Sequence, residues 1–123
     1  MSTPAQKQFQ VHIASGQTTS NQTVSIPAGK SMIIEHVSGT LFVPSSQVAF
    51  VSIQTAAFQI DVPGGTTTGY HFFPTTVVQP GRVVFGQRTY ISTIGGNIVL
   101  TVQRSDPSGV LDGQVTICGE LLP

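Results

Sequence analysis

The stretch VSIPAGKSMIIEHVSGTLFV, residues 24–43, is the part of the chain around which we expect the remaining strands to pack. Two β-type runs flank the turn sequence PAGK at residues 27–30, and Pro27 ends the first run because proline cannot donate a ladder hydrogen bond. The second run, residues 31–43, carries the densest apolar material before residue 48. We therefore expect a central buried pair of strands. Gly39, in the middle of the second run, predicts a bend that carries this strand from one sheet to another.

The first strand is predicted from Gln8 onward. Phe9, Val11 and Ile13 alternate with polar residues, and this period of two places all three on one face of a strand. Residues 1–7 are polar, so we predict a flexible N-terminal segment followed by a single domain over residues 8–123.

Further runs follow at intervals of 8–12 residues, separated by Pro and Gly turns. VAFVSIQTAAF, residues 48–58, is apolar on both parities and predicts a strand buried on more than one side. Gly86 is a candidate bulge. Gly95-Gly96-Asn97 lies between two alternating runs and is the strongest hairpin signal in the chain.

The pattern as a whole predicts an all-β fold of eight to nine strands, because no segment shows a helical period. Short strands with regular turns are typical of an antiparallel β-sandwich, and we predict a jelly roll. An immunoglobulin-like sandwich is the alternative, although the chain contains no Trp for the Cys…Trp…Cys core of that fold.

Composition restricts the partners. The chain has 123 residues, zero formal net charge and only 8% charged residues. Nucleic-acid binding needs an excess of Lys and Arg over the phosphate charge, so it is not expected. Scarce charge gives little repulsion between copies, and we predict a homo-oligomer. No apolar run reaches membrane-spanning length, and the N-terminal MSTPAQKQ lacks a signal-peptide pattern.

The sequence contains no complete catalytic motif. Gly29-Lys30-Ser31 matches the end of a phosphate-binding loop, but Val24 stands where that loop needs glycine. Cys118 falls within the terminal strand, where a half-buried thiol is inert packing. The acids are scattered along the chain at Glu35, Asp61, Asp106, Asp112 and Glu120. We therefore predict that the protein is not an enzyme and has no cofactor.

The three histidines do not predict a metal site. His12 and His71 stand alone, and adjacent Glu35 and His36 point to opposite faces of a strand. A metal-dependent double-stranded β-helix enzyme is a third hypothesis, and it would require bound metal.

Recognition of a ligand is the function that the remaining residues favour. Aromatic faces and hydrogen-bond donors together suit a sugar ring and its hydroxyls. The residues with this chemistry are Tyr70, His71, Arg82, Arg88 and Tyr90. The alternative is that the two tyrosines simply rim the core with their hydroxyls in water.

Three phrases carry a resemblance: SIPAGKSMIIEHVSGTLFVPSSQ, RVVFGQRTYISTIGGNIVLTVQRSD and the terminal VTICGELL. Together they resemble small uncharacterised bacterial proteins, often exported, with an IPAGK…IE-x-VS start and a VTISG-x-L end. The resemblance implies a β-sandwich and a secreted or cell-envelope setting, and it transfers no functional residue. Cys118 stands where such sequences often have Ser.

The sequence thus leads to two main hypotheses for the function. The first is a non-enzymatic, self-associating β-sandwich binding module that recognises carbohydrate. The alternative is a structural subunit of a shell, fibre or surface appendage, in which edge strands add to the sheets of neighbouring copies.

Overall fold

A computed structural model describes residues 2–44 and 47–123 of the chain. Within these residues there are nine strands in two antiparallel sheets and no helix, which confirms the predicted all-β sandwich and its strand number. The strands are β1 (Thr3–Ile13), β2 (Thr19–Ser25), β3 (Ser31–Phe42), β4 (Ala49–Phe58), β5 (Thr66–Phe73), β6 (Thr76–Gln79), β7 (Arg82–Thr93), β8 (Asn97–Arg104) and β9 (Leu111–Leu122).

The two sheets differ in size and are built mostly from strands distant in sequence. The five-stranded sheet has the order β1-β9-β3-β7-β6, and the four-stranded sheet has the order β2-β8-β4-β5. Only β4 with β5 and β6 with β7 pair with a neighbour in sequence. The other connections run between the sheets, so the chain crosses repeatedly over the core.

The core lies between the sheets and follows the alternation in the sequence. In β8, Ile98, Leu100 and Val102 are fully buried while the residues between them are partly or fully exposed. In β3, Ile34 and Leu41 are likewise inaccessible to solvent. Each such side chain contributes roughly 1.5–3 kcal/mol by leaving water.

The first strand is longer than its side-chain pattern indicates. The prediction that structure begins at Gln8 is wrong, because β1 begins at Thr3 and pairs with β9 from Leu121 onward. The side-chain pattern does not reveal this pairing, because the pairing is made by backbone N–H and C=O groups, and polar side chains do not prevent it. Ala5 is also half-buried and packs against the core.

Gly39 does not carry β3 from one sheet to the other. The strand stays in the five-stranded sheet, and its pairing is irregular between Ile34 and His36 instead. Glycine is required at position 39 by close packing, since a Cβ there would lie 2.5 Å from the Gln114 carbonyl oxygen and 2.8 Å from the Phe85 ring. Gly86, predicted as a bulge, pairs regularly with Ser38.

The strongest hairpin signal proves to be a crossover. Gly96 has the expected positive φ of 117°, but β7 belongs to the five-stranded sheet and β8 to the four-stranded sheet. The Gly96 carbonyl accepts a hydrogen bond from the Ile26 N–H at 2.8 Å, which ties this crossover to the end of β2. The predicted hairpin is therefore wrong, although the turn itself is present.

Candidate functional site

The outer face of the four-stranded sheet exposes three aromatic side chains. Phe50 is 52% exposed, Tyr70 63% and Phe72 68%. They project outward because the residues of opposite parity, such as Val51 and Phe73, are buried in the core. We call this surface the aromatic face.

The register of β4 and β5 brings the three rings together. Phe72 lies directly opposite Ser52, and Tyr70 lies opposite Gln54. Residues two apart on one strand are about 7 Å apart, and diagonal neighbours on adjacent strands are about 7–8 Å apart. Phe50 and Tyr70 therefore lie on either side of Phe72, and the three residues form a strip of neighbouring positions on this face.

Amide and hydroxyl groups lie beside this strip on β2 and β8. The Thr101 hydroxyl donates to Asn21 Oδ1 at 2.7 Å, and the Ser25 hydroxyl donates to Asn97 Oδ1 at 2.9 Å. Each bond holds an Asn side chain against the neighbouring strand, and both Asn residues are exposed and can offer further hydrogen-bonding groups to a ligand.

The aromatic face carries no Asp, Glu, Lys, Arg or His within the described strands. The outward-facing residues are Thr19, Asn21, Thr23, Ser25, Phe50, Ser52, Gln54, Ala56, Phe58, Thr66, Thr68, Tyr70, Phe72, Asn97, Val99, Thr101 and Gln103. Its chemistry is therefore that of neutral hydrogen-bonding groups and aromatic rings.

Of the five predicted ligand residues, only Tyr70 lies on the aromatic face. His71 follows it on β5 and turns toward the interior, with Nε2 3.2 Å from the Thr55 hydroxyl. That contact gives the ring a local partner within the fold.

The other three predicted residues lie on β7, in the five-stranded sheet. Arg88 pairs across strands with His36, and Tyr90 is two residues further along on the same outer face. Arg82 lies at the opposite end of β7, beside Phe42. The five residues are thus divided between the two sheets and do not form a single site.

Phe50 and Phe72 were not predicted from the sequence to be ligand-binding residues. The prediction that residues 48–58 are buried on more than one side is wrong at Phe50, because none of the residues that the structure describes forms a layer over this position. A signal was present in the parity of this strand, since Phe50 alternates in step with Ser52 and Gln54.

The outer face of the five-stranded sheet contains a shallow groove that is mostly polar. The groove lies over Ser38, Gly39, Thr40, Gln114 and Thr116. No group of three or more His, Cys, Asp or Glu side chains within residues 2–44 and 47–123 is arranged to hold a metal ion.

Two side chains that could take part in catalysis, His12 and Cys118, lie on this same sheet. His12 Nδ1 is 2.6 Å from Asp112 Oδ1 in an exposed pair that joins β1 to β9. Cys118 is half-buried, and its Sγ lies 3.7 Å from the His36 carbonyl oxygen. In neither case does the structure show a partner arranged for nucleophilic chemistry in the described residues.

No protein-family model matches the chain, and no curated protein sequence matches it. In the part of the chain that the structure describes, no helix is long and apolar enough to cross a membrane.

Proposed function

We propose that the protein is a non-enzymatic binding module that recognises neutral carbohydrate through the aromatic face. The observation that carries this proposal is the strip of Phe50, Tyr70 and Phe72 beside uncharged amides and hydroxyls. Aromatic rings stack on the apolar C–H face of a sugar ring, and amides and hydroxyls bind its hydroxyl groups. An anionic glycan would find no cationic partner on this face.

The shape of the face favours an extended ligand. A small molecule is held by a concave site that buries most of its surface. The three rings here are each more than half exposed and lie side by side on an open sheet. A chain of several sugar units can contact all of them at once, whereas a single sugar covers only one. We therefore propose a neutral oligosaccharide or polysaccharide as the ligand.

The strand order supports a jelly roll as the topology of this sandwich. In an immunoglobulin-like fold the first two strands lie in the same sheet. Here β1 lies in the five-stranded sheet and β2 in the four-stranded sheet. A secreted or cell-envelope setting is part of the proposal, because it fits both a glycan ligand and the resemblance to exported bacterial proteins.

Binding to a panel of neutral glycans, followed by calorimetric titration of any ligand found, tests the proposal. Phe72→Ala is expected to weaken binding about tenfold or more, because it removes one stacking ring from the strip. Its exposed position means that folding stability should change by less than about 0.5 kcal/mol. Tyr90→Ala is the matched control on the other sheet and should bind normally. Absence of binding to every neutral glycan, or loss of binding with Tyr90→Ala alone, contradicts the proposal.

A structural subunit is the second candidate, and the open sheet edges favour it. The edge strand β1 runs for 11 residues, and β2, β5 and β6 are also edges within the described residues. Backbone groups on such edges can pair with another chain. Light scattering distinguishes the two functions, because a shell or fibre subunit forms large or open-ended assemblies and the binding module forms a small closed one.

A further inference from the structure

The turn between β4 and β5 presents an apolar tip. Ile60 at its centre is fully exposed, with exposed Phe58 and Val62 on either side. Two backbone hydrogen bonds hold the turn, from the Gln59 N–H to the Gly65 carbonyl at 2.9 Å and from the Gly65 N–H to the Val62 carbonyl at 3.0 Å. An ordered turn that exposes three large apolar side chains is typical of an interaction site.

An apolar cavity of about 110 Å³ lies near the same end of the sandwich, between β1 and β2. It is lined mainly by Ala5, Val24, Ile26, Met32, Ile98 and Leu121. Ile26 follows β2 and Ile98 is the second residue of β8. Both strand ends lie at the end of the four-stranded sheet where β4 passes into the tip.

The size of the cavity matches the side chain on the tip. An apolar cavity of about 150 Å³ accommodates a six-carbon ring. The cavity here therefore has room for a four-carbon side chain such as that of Ile60. Filling it would bury apolar surface of both partners at once.

Charge is complementary at the same two places. Lys7 lies at the rim of the cavity, and Asp61 is next to Ile60 on the tip. The only ion pair in residues 2–44 and 47–123 joins His12 to Asp112, so neither Lys7 nor Asp61 has an oppositely charged partner there. The Lys7 ammonium instead lies 6.0 Å from the centre of the Phe9 ring.

We propose that two copies of this chain form a closed dimer in which Ile60 of each copy enters the cavity of the other and Asp61 meets Lys7. The tip and the cavity lie at the same end of the molecule, so one two-fold axis through that end can satisfy both contacts together. Phe58 belongs to both the tip and the end of the aromatic face, whereas the strip of Phe50, Tyr70 and Phe72 lies further along the sheet and stays open to ligand. The dimer can therefore be tested independently of the proposed carbohydrate binding.

Sedimentation of the intact protein over a concentration series tests the contact. The wild-type chain is expected to pass from monomer to dimer and no further. Ile60→Asp should raise the dissociation constant about tenfold or more, because it places a charge in an apolar cavity. Val77→Asp is the matched control, an equally drastic change at an exposed valine on β6. It should dimerise as the wild type does. A wild-type chain that stays monomeric, or equal weakening by both variants, overturns the proposal.

A charge exchange identifies the partner residues directly. Lys7→Glu and Asp61→Lys should each weaken the homodimer, because each places like charges together at both contacts. A mixture of the two variants restores opposite charges at both contacts and should form a heterodimer. Circular dichroism of each variant checks that the strand spectrum is retained. A mixture of folded variants that associates no better than either variant alone overturns the proposed pairing.

Discussion

Arg104 is a charged side chain that the fold has placed in its interior, with an exposure of only 4%. No carboxylate forms an ion pair with it in the described part of the chain. Its guanidinium instead donates to the backbone carbonyl oxygens of two neighbouring segments, as well as to the Gln47 side chain at 3.5 Å. The backbone acceptors are Ala14, Gln17, Pro107, Ser108 and Gly109. One planar group thus joins the loops at this end of the sandwich.

Arg104→Lys is expected to destabilise the protein by about 2–4 kcal/mol, because a single ammonium cannot reach acceptors on every side and leaves buried carbonyls without donors. Urea unfolding measures the change. Arg88→Lys, at an exposed position on β7, should alter stability by less than about 0.5 kcal/mol. Equal midpoints for the two variants would contradict the role given to Arg104.

The Asp106 carboxylate lies next to this cluster and organises the loop after β8. The Ser108 N–H donates to its Oδ1 at 2.8 Å, and this hydrogen bond, aided by the nearby Arg104 charge, lowers the pKa of Asp106 below its usual value of 3.8. A lowered pKa in the folded state stabilises the protein above pH 3.8, and this stabilisation is lost as the pH falls through the folded-state pKa.

Asp106→Asn should therefore make the free energy of unfolding less dependent on pH under acidic conditions. The amide oxygen can still accept from Ser108, but it no longer titrates. Denaturation measured from neutral to strongly acidic pH should show the wild-type free energy of unfolding falling more steeply than that of the variant below about pH 4. Parallel curves would show that Asp106 does not contribute.

At the scale of the strand, close packing of β9 against β3 depends on glycine. Gly119 pairs with Ile34 beside the irregularity in β3, and a Cβ at this position would overlap the Ile33 carbonyl oxygen. Gly86 on β7 is different, since the nearest atom to an added Cβ is the Ser38 Cβ at 3.8 Å. A change from glycine to alanine therefore meets a backbone clash at Gly119 but has free space at Gly86.

Gly119→Ala is expected to cost about 3 kcal/mol or more, because the overlapping atom belongs to the backbone and can move only with its strand. Gly86→Ala should be neutral or stabilising by up to about 1 kcal/mol, since glycine weakens a strand interior. Thermal unfolding of both variants makes the comparison. Similar melting temperatures would mean that β3 and β9 adjust more freely than the structure indicates.

Strands could be predicted from the sequence more reliably than their partners. Alternation identified Ile98, Leu100 and Val102 as an inward face because side-chain parity is a local property. The turn at residues 95–97 could not reveal that the next strand joins the opposite sheet. That choice depends on contacts between residues far apart in sequence.

The candidate site shows the same division between local and long-range information. Tyr70 was predicted from its chemistry. Phe50 and Phe72 were not, because an aromatic residue in an alternating run is buried or exposed according to whether another layer covers that face. Arg88 and Tyr90 have suitable chemistry as well, but the topology places them in the other sheet.

For the whole molecule, the distribution of charge separates the two proposed interactions. The aromatic face has no charged side chain in the described strands, so affinity for a neutral glycan should change less than about twofold between low and high salt. The proposed dimer contact includes Asp61 and Lys7 and should weaken as salt rises. Titrations at two ionic strengths measure both effects. A steep loss of glycan affinity with salt would indicate a charged ligand and contradict the account.

The proposed ligand site is the outer side of the four-stranded sheet. Amide NMR spectra of the labelled protein, recorded during titration with a neutral oligosaccharide that binds to it, test this location. We predict that the shifted signals belong to β4, β5 and β8, with the largest changes around Phe72 and its neighbour Ser52. Shifts confined to β7 and β9 of the five-stranded sheet, or no shifts with any neutral oligosaccharide, would contradict it.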